Sequence, residues 1–226
     1  MRILVYDRGA NVVRVFNRRL TDAMPYIKNR YLTVDEFRGS SNTDILWTSR
    51  EFMENFNKLR EKWGSPIPVR YAFKRIWEGG HSGQSQHYAG LAIDMAQGMP
   101  KSKRDKLRNL ASRMGIFSYV EPASLTPTWV HIDNRFGKAA CGAGYPVVRN
   151  GSRGNYVMVL QDALLNLGYT SVRNIDGIMG RRTTNALGNY QDNNNLPRTE
   201  ETNCPTWQSI TSRVVGKGVS PTTYLP

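Results

Sequence analysis

Two histidines and one aspartate occur at a spacing that suits a metal site. His87 and Asp94 lie in the run Ser-Gln-His-Tyr-Ala-Gly-Leu-Ala-Ile-Asp (residues 85–94), and His131 lies in Trp-Val-His-Ile-Asp (residues 129–133). Two imidazoles and one carboxylate are ligands of tetrahedral Zn²⁺, and three protein ligands leave the fourth position open for water. The pattern therefore predicts a catalytic zinc site, whose chemistry would be hydrolysis.

Short strands are predicted to carry these ligands. Three segments have the composition of strands, namely residues 66–73, 89–95 and 128–133. In the second of them, Ala92 and Asp94 share one face while the apolar residues between them face the other way. Gly90 gives the start of that segment unrestricted backbone dihedrals. We therefore expect the apolar face to be buried and the ligands to converge on one face of a sheet.

Helices and a hairpin are predicted to flank this sheet. Residues 48–63 have apolar side chains at helical spacing, with Thr48 or Ser49 as the N-cap and Gly64 as the end. A second helix is predicted over residues 102–114, and residues 3–6 are predicted to pair with residues 12–16. The predicted fold class is α+β, with a small antiparallel sheet and flanking helices.

Two further side chains near the ligands could take part in the chemistry. Asp133 lies on the same strand face as His131, so it could accept the second ring N–H of a ligand histidine. A salt bridge within the fold and a second catalytic carboxylate are the alternatives. His81 lies in the glycine-rich run Gly-Gly-His-Ser-Gly (residues 79–83), where it could line a cleft or be a solvent-exposed loop residue.

These motifs together resemble the zinc D-Ala-D-Ala carboxypeptidase family, whose relatives include VanY-like peptidases and phage endolysin peptidases. The family pattern, Ser-x-His-x-x-Gly-x-Ala-x-Asp followed by a later His, is matched over residues 85–94 and at His131. The resemblance covers residues 35–137. It implies a small α+β fold, a Zn²⁺ cofactor and attack on D-amino-acid peptides of peptidoglycan, with Ser85 beside the substrate.

The chain departs from this family at two positions. Many members carry Glu or Asp three residues before the last ligand, as the base that takes a proton from the attacking water, but here that residue is Thr128. The nearest replacement is Glu121, whose alternative is a surface carboxylate, and His81 is the second candidate for base or transition-state stabiliser. The family also places an Arg before the metal loop to grip the substrate. Here Lys74 and Arg75 occupy that region, and because Lys is a point charge, this favours an endopeptidase over a carboxypeptidase.

The C-terminal part of the chain has a separate, helical pattern. Glycines and a proline cluster between residues 137 and 154, after which helices are predicted over residues 156–167 and 181–193, with a third starting near residue 204. Residues 147–210 resemble the three-helix peptidoglycan-binding domain of wall hydrolases. We therefore predict a zinc peptidase domain at 1–138, a linker at 139–154 and a peptidoglycan-binding domain at 155–226.

Composition restricts the function classes. The formal net charge is +13, which favours polyanionic partners such as nucleic acid or an anionic cell wall. The basic run at residues 101–106 fits either the exposed start of a helix or a binding patch. Two cysteines, Cys141 and Cys204, are too few for a disulfide framework, and they could be free thiols or one bridge.

The expected partner is bacterial peptidoglycan, with no nucleic acid and no membrane, and a monomer is expected. The N-terminus lacks the apolar segment of a signal peptide, so synthesis in the cytoplasm and action on the wall after release are predicted. Two competing hypotheses are a wall-binding protein with a degenerate hydrolase domain and, from charge alone, a nucleic-acid-binding protein.

Overall fold

The computed structural model describes residues 1–217, which form two β-sheets and six α-helices. The first sheet contains β1 (Arg2–Asp7), β2 (Val12–Asn17) and β3 (Ile45–Ser49), in the order β2-β1-β3. β1 and β2 form the predicted antiparallel hairpin. β3 pairs with β1 in parallel, after a connection that contains the short helix α1 (Val34–Arg38).

The second sheet carries the candidate ligands. It contains β4 (Val69–Tyr71), β5 (Ala92–Met95), β6 (Tyr119–Val120) and β7 (Val130–Asp133), all antiparallel in the order β4-β5-β7-β6. The predicted strands at 66–73, 89–95 and 128–133 are therefore present but shorter. β5 begins late because Gly90 turns the chain at φ 65°, where an added Cβ would lie 1.8 Å from the Trp47 carbonyl oxygen.

Helices α2 (Arg50–Trp63) and α3 (Lys101–Met114) confirm the two helices predicted in this region. The Ser49 side chain accepts a hydrogen bond from the Phe52 N–H, and Gly64 ends α2 in the left-handed conformation that glycine favours. The basic run 101–106 forms the largely exposed first turns of α3, as one of the two interpretations expected. None of the helices found within residues 1–217 has the length and apolar character needed to cross a membrane.

The C-terminal part contains three helices, α4 (Asn155–Asn166), α5 (Arg181–Asn193) and α6 (Cys204–Val214), at the predicted places. Leu160, Leu164, Leu187 and Trp207 are fully buried among them. α4 is buried on nearly every side because it also packs against the N-terminal part. The end of the predicted domain, residues 218–226, lies outside the described residues.

Residues 139–154 are ordered and join the two parts closely. Tyr145 is fully buried there, and the Trp207 indole N–H donates to the Pro146 carbonyl oxygen at 2.8 Å. Gly154, at φ 105°, lies against the ring of Tyr6, which a Cβ would approach to 2.4 Å. The segment predicted as a linker is thus packed between the two parts, while the predicted domain boundaries stay predictions.

One disulfide ties this segment to α6. Cys141 and Cys204 are bonded, with their Cα atoms 5.1 Å apart, so the two cysteines are a bridge and not free thiols. The bridge closes a loop with a sequence separation of 63 residues. Closing a loop of that size restricts the unfolded chain and stabilises the fold by about 4 kcal/mol in the chain-entropy model.

A buried ion pair joins the two parts at a second place. The Arg75 guanidinium donates to both carboxylate oxygens of Asp162 on α4, at 2.9 Å from Nε and 2.5 Å from Nη2. Arg75 Nη1 also donates to the hydroxyl of Thr43. Because neither charge is exposed, each depends on the other for the solvation that water would supply.

We predict that the loss of one member of this pair destabilises the fold, whereas the loss of both members does so much less. Arg75→Met should lower the free energy of unfolding by about 3–5 kcal/mol, because it leaves the Asp162 carboxylate buried and unpaired. Arg75→Met combined with Asp162→Leu should recover most of that loss, since neither charge then remains. Urea unfolding of the single, double and wild-type chains measures both effects.

Lys101→Met is the matched control, because Lys101 forms an exposed pair with Asp105 at 2.6 Å. It should change the free energy of unfolding by about 0.5 kcal/mol or less. A double variant as unstable as Arg75→Met would contradict the account of Arg75 and Asp162 as a mutually dependent pair.

Candidate metal centre

The register of the second sheet brings the three predicted ligands together. Asp94 on β5 stands directly opposite His131 on β7, and His87 lies in the turn that precedes β5. One ligand atom from each residue lies within 4.8 Å of the others. His131 Nδ1 is 2.7 Å from Asp94 Oδ1, and His87 Nε2 is 3.5 Å from Asp94 Oδ2. The predicted ligands thus form one cluster of two nitrogens and a carboxylate.

The outer partners of the two imidazoles fit metal ligation. His87 Nδ1 lies 3.1 Å from the Ala72 carbonyl oxygen, to which it donates as Nδ1–H, so the lone pair of Nε2 points to the cluster. His131 Nε2 lies 3.3 Å from Asp133 Oδ2, which leaves Nδ1 for the cluster. This donor set, oriented from outside by a carbonyl and a carboxylate, suits Zn²⁺.

Asp133 is held in place by a cation. Arg135 donates from Nε and Nη2 to the two Asp133 oxygens, at 2.9 and 2.8 Å, and its guanidinium stacks over the Tyr119 ring. Asp133 is buried between this guanidinium and His131. Its position therefore fits the predicted role as the outer partner of a ligand, and it also forms the salt bridge of the alternative interpretation.

The electrostatics of the cluster favour a proton on His131 that is hydrogen-bonded to Asp94. Burial opposes a charge on His131, but hydrogen bonds to Asp133 and Asp94 outweigh it and raise the pKa of His131 to about 9. Burial acts to raise the pKa of Asp94, yet hydrogen bonds to His131 and His87 hold that pKa well below its usual range. Metal uptake at these atoms would displace the proton on His131.

His81 lies beside the cluster rather than in free solvent. Its ring stacks on that of His87 with the centroids 4.2 Å apart and the planes 13° from parallel. Burial lowers the pKa of His81 to about 4, so the ring is neutral at pH 7. The Tyr88 hydroxyl holds the backbone, accepting from the His81 N–H and donating to its carbonyl.

Strand pairing places Glu121 on the same side of the sheet as the ligands on β5 and β7. β6 pairs Val120 with Ile132, and the Glu121 N–H donates to the His131 carbonyl at 3.1 Å, so the next position sets Glu121 opposite His131. Residues that face each other across antiparallel strands project from the same side of the sheet. Glu121, His131 and Asp94 therefore form one row, and Glu121 lines the same cleft as the ligands.

Two adjoining clefts meet at the cluster. A central cleft of about 320 Å³ is lined by the ligands, Glu121, Ser85, Asp133 and Arg135. A flanking cleft of about 540 Å³ is lined by Arg70, Tyr71, Lys74, Gln97 and Thr128. His81, Asp94 and Trp129 belong to both walls, so the depression continues on either side of Asp94.

The residues predicted to bind substrate have three different positions. Lys74 lines the flanking cleft, and Ser85 lines the central cleft, where its hydroxyl accepts from the His87 N–H at 3.3 Å. Arg75 lies apart from both clefts, because its guanidinium is buried against Asp162, and this position does not favour the predicted contact with substrate. The side chain next to it, Lys74, is the one that reaches the open space.

Sequence reasoning missed several residues of the central cleft. They are Gln84, Gln86, Tyr119, Trp129 and Arg135. Trp129 is the first residue of the recognised motif at residues 129–133, and Arg135 follows that motif closely, so their closeness to His131 in the chain was a usable signal. No sequence signal pointed to Tyr119, because its strand, β6, has only two residues and no hydrophobic pattern of its own.

Comparison with known proteins identifies the C-terminal part. Residues 153–210 match the family model of the peptidoglycan binding domain. A solved peptidoglycan-binding protein from Clostridioides difficile, in complex with glutamine hydroxamate, is 28% identical over 32% of this chain and 45% of that chain, with a TM-score of 0.29. The chain thus aligns with less than half the length of that protein, and no curated protein matches it. Residues 153–210 are therefore a peptidoglycan-binding domain, which supports a role at the bacterial cell wall.

Proposed function

We propose that this protein is a zinc peptidase that cleaves the stem peptide of peptidoglycan. The observation that carries the proposal is the cluster of His87, Asp94 and His131, whose ligand atoms converge at the floor of a cleft. The peptidoglycan-binding domain in the same chain points to the substrate. The resemblance of residues 85–94 and of the segment around His131 to zinc D-Ala-D-Ala carboxypeptidases agrees with both.

Different side chains of the central cleft would have different roles in the proposed reaction. Glu121, in one row with His131 and Asp94, is placed to take a proton from the attacking water and to pass it to the leaving amine. Zn²⁺, when bound, would polarise the scissile carbonyl and acidify the water. Neutral His81 is a weak base at pH 7, so it suits hydrogen bonding to the substrate better than proton abstraction.

The shape of the depression favours an endopeptidase. A carboxypeptidase needs a site that closes beyond the last residue of its substrate, whereas here the space continues on both sides of Asp94. Lys74 and Arg70 on the flanking side form no ion pair among residues 1–217, so they can meet acidic groups of a stem peptide. A bound peptide would then extend in both directions from the scissile bond.

The peptidoglycan-binding domain would keep the enzyme on an insoluble substrate. Attachment raises the local concentration of cleavable bonds without adding a catalytic contact. The net charge of +13 would add attraction to an anionic wall. We infer that the protein acts on the wall as a monomer.

One observation favours a second candidate, a wall-binding protein without catalysis. Thr128 stands where many relatives carry the acidic base, and its side chain cannot abstract a proton. The arrangement of Glu121 beside His131 argues for the enzyme, because it restores a carboxylate to the cleft from a neighbouring strand.

We predict that His87→Ala separates wall lysis from wall binding. Loss of one ligand should abolish zinc binding and lower the lysis rate to background, while sedimentation with purified cell walls should be unchanged because the binding domain is intact. Clearing of a wall suspension and co-sedimentation measure the two properties. Equal lysis by wild type and His87→Ala would rule out the zinc mechanism, and binding without lysis by the wild type would favour the second candidate.

We also predict that Glu121→Gln lowers the rate of wall-peptide cleavage by about 10²–10⁴-fold, because an amide cannot accept the proton. Zinc content should stay at the wild-type level, since Glu121 is not a ligand. Glu61→Gln, an exposed change outside both clefts, is the control and should leave the rate unaltered. A Glu121→Gln rate within about twofold of wild type would show that another group is the base.

A further inference from the structure

We propose that the joining segment (residues 139–154) and the C-terminal part of the chain position the metal centre, through Tyr145, Asn155 and Tyr156. These residues hold the loop of residues 84–89, which carries His87, and they are called the loop anchor here. The inference rests on the proposed zinc site. It goes beyond the role of a wall tether, because it makes the C-terminal part a component of the site itself.

Tyr145 makes two bonds to the residues just before His87. Its backbone N–H donates to Gln84 Oε1 at 2.7 Å, and its hydroxyl donates to the Ser85 carbonyl oxygen at 2.5 Å. Tyr145 itself is fully buried. The backbone of Ser85 is therefore fixed two residues ahead of the ligand by a hydroxyl that water does not reach.

Tyr156 and Asn155, at the start of α4, hold the rest of the loop. The Tyr156 hydroxyl accepts from the Phe136 N–H and donates to Gln86 Oε1, each at 3.1 Å. The Asn155 amide donates to the Ala89 carbonyl oxygen at 2.8 Å. Residues 84 and 85 are thus bonded to the joining segment, and residues 86 and 89 to the start of α4, so the bonds lie on both sides of His87.

The loop anchor packs against the core of the peptidoglycan-binding domain. The Tyr145 ring packs against those of Tyr156 and Trp207, with centroids 5.2 and 5.1 Å away. The disulfide between Cys141 and Cys204 joins the Tyr145 segment to α6. Movement of the loop would therefore require displacement of the core of the peptidoglycan-binding domain.

The N-terminal part gives this loop only part of its support. β5 starts at Ala92, so the loop lies outside the sheet. Besides turn bonds, the N-terminal part holds the loop through His87 Nδ1, which donates to the Ala72 carbonyl oxygen, and through the Tyr88 hydroxyl, which bonds the backbone of His81. From the first sheet, only the Trp47 indole reaches it, donating to the Tyr88 carbonyl. A ligand on such a loop needs an external support to stay within reach of the other two, because metal affinity depends on how well the ligands are held in place.

Tyr→Phe variants in the full-length chain test this inference. Tyr145→Phe and Tyr156→Phe each remove one hydroxyl and keep the ring in the core. We expect zinc affinity, measured by competition with a chromophoric chelator, to fall about tenfold in each variant. The visible absorption of the Co²⁺-loaded chain should shift as well, since it reports ligand geometry. Sedimentation with cell walls should be unchanged.

Tyr190→Phe is the matched control. Tyr190 is buried in the same domain, and its hydroxyl shares a 2.7 Å hydrogen bond with Ser209, but it has no contact with the loop. A merely structural role for the anchor hydroxyls predicts equal losses of stability in the three variants and no change in zinc affinity or in the Co²⁺ spectrum. That result would overturn the inference while leaving the zinc peptidase proposal intact. A wild-type chain that binds neither ion would overturn both.

Discussion

The pairing register of β5 with β7 is the constraint on which the site depends. Side chains alternate between the two faces of a strand, so a slip of one residue would turn His131 to the face opposite Asp94. The buried residues Ile93 and Ile132 fix this register, since they stand opposite each other on the apolar face. The same register, continued to β6, aligns Glu121 with His131. Packing on one face thus determines the chemistry that is possible on the other.

Buried contacts join the two parts of the chain and the segment between them. The buried Arg75–Asp162 pair crosses between the N-terminal part and the peptidoglycan-binding domain. The Cys141–Cys204 bridge ties the joining segment to α6, and residues 84–89 are hydrogen-bonded to Tyr145 in that segment and to Tyr156 on α4. A simple tether would need none of these contacts. They hold the central cleft in one orientation relative to the domain, so a wall strand bound by the domain would meet the cleft in a defined geometry.

Local patterns were enough to predict part of this structure. The helices α2, α3, α4 and α5 have strong apolar periodicity and clear end signals such as Gly64, so their bounds came out within two residues. The metal cluster was predictable because its residues lie in two short motifs of a resembled family.

Long-range contacts were not predictable in the same way. The parallel pairing of β3 with β1 and the two-residue strand β6 have no local signature. Arg75 was assigned to the substrate from the pattern of the resembled family. Its partner, Asp162, lies far along the chain, and nothing near Arg75 in the sequence reveals a buried carboxylate. Tyr145 likewise lies in a glycine-rich stretch that reads as a spacer, and only the folded chain brings it against Ser85.

The central claim is that this chain holds one catalytic metal ion, and its most direct test is the zinc content of the purified protein. The full-length chain would be stripped with a chelator, reloaded with Zn²⁺, desalted and analysed by atomic emission, next to Asp94→Ala treated in the same way. The account predicts about one zinc ion per wild-type chain and none in the variant. A folded wild-type chain that retains no zinc, or a variant that retains as much, would contradict it.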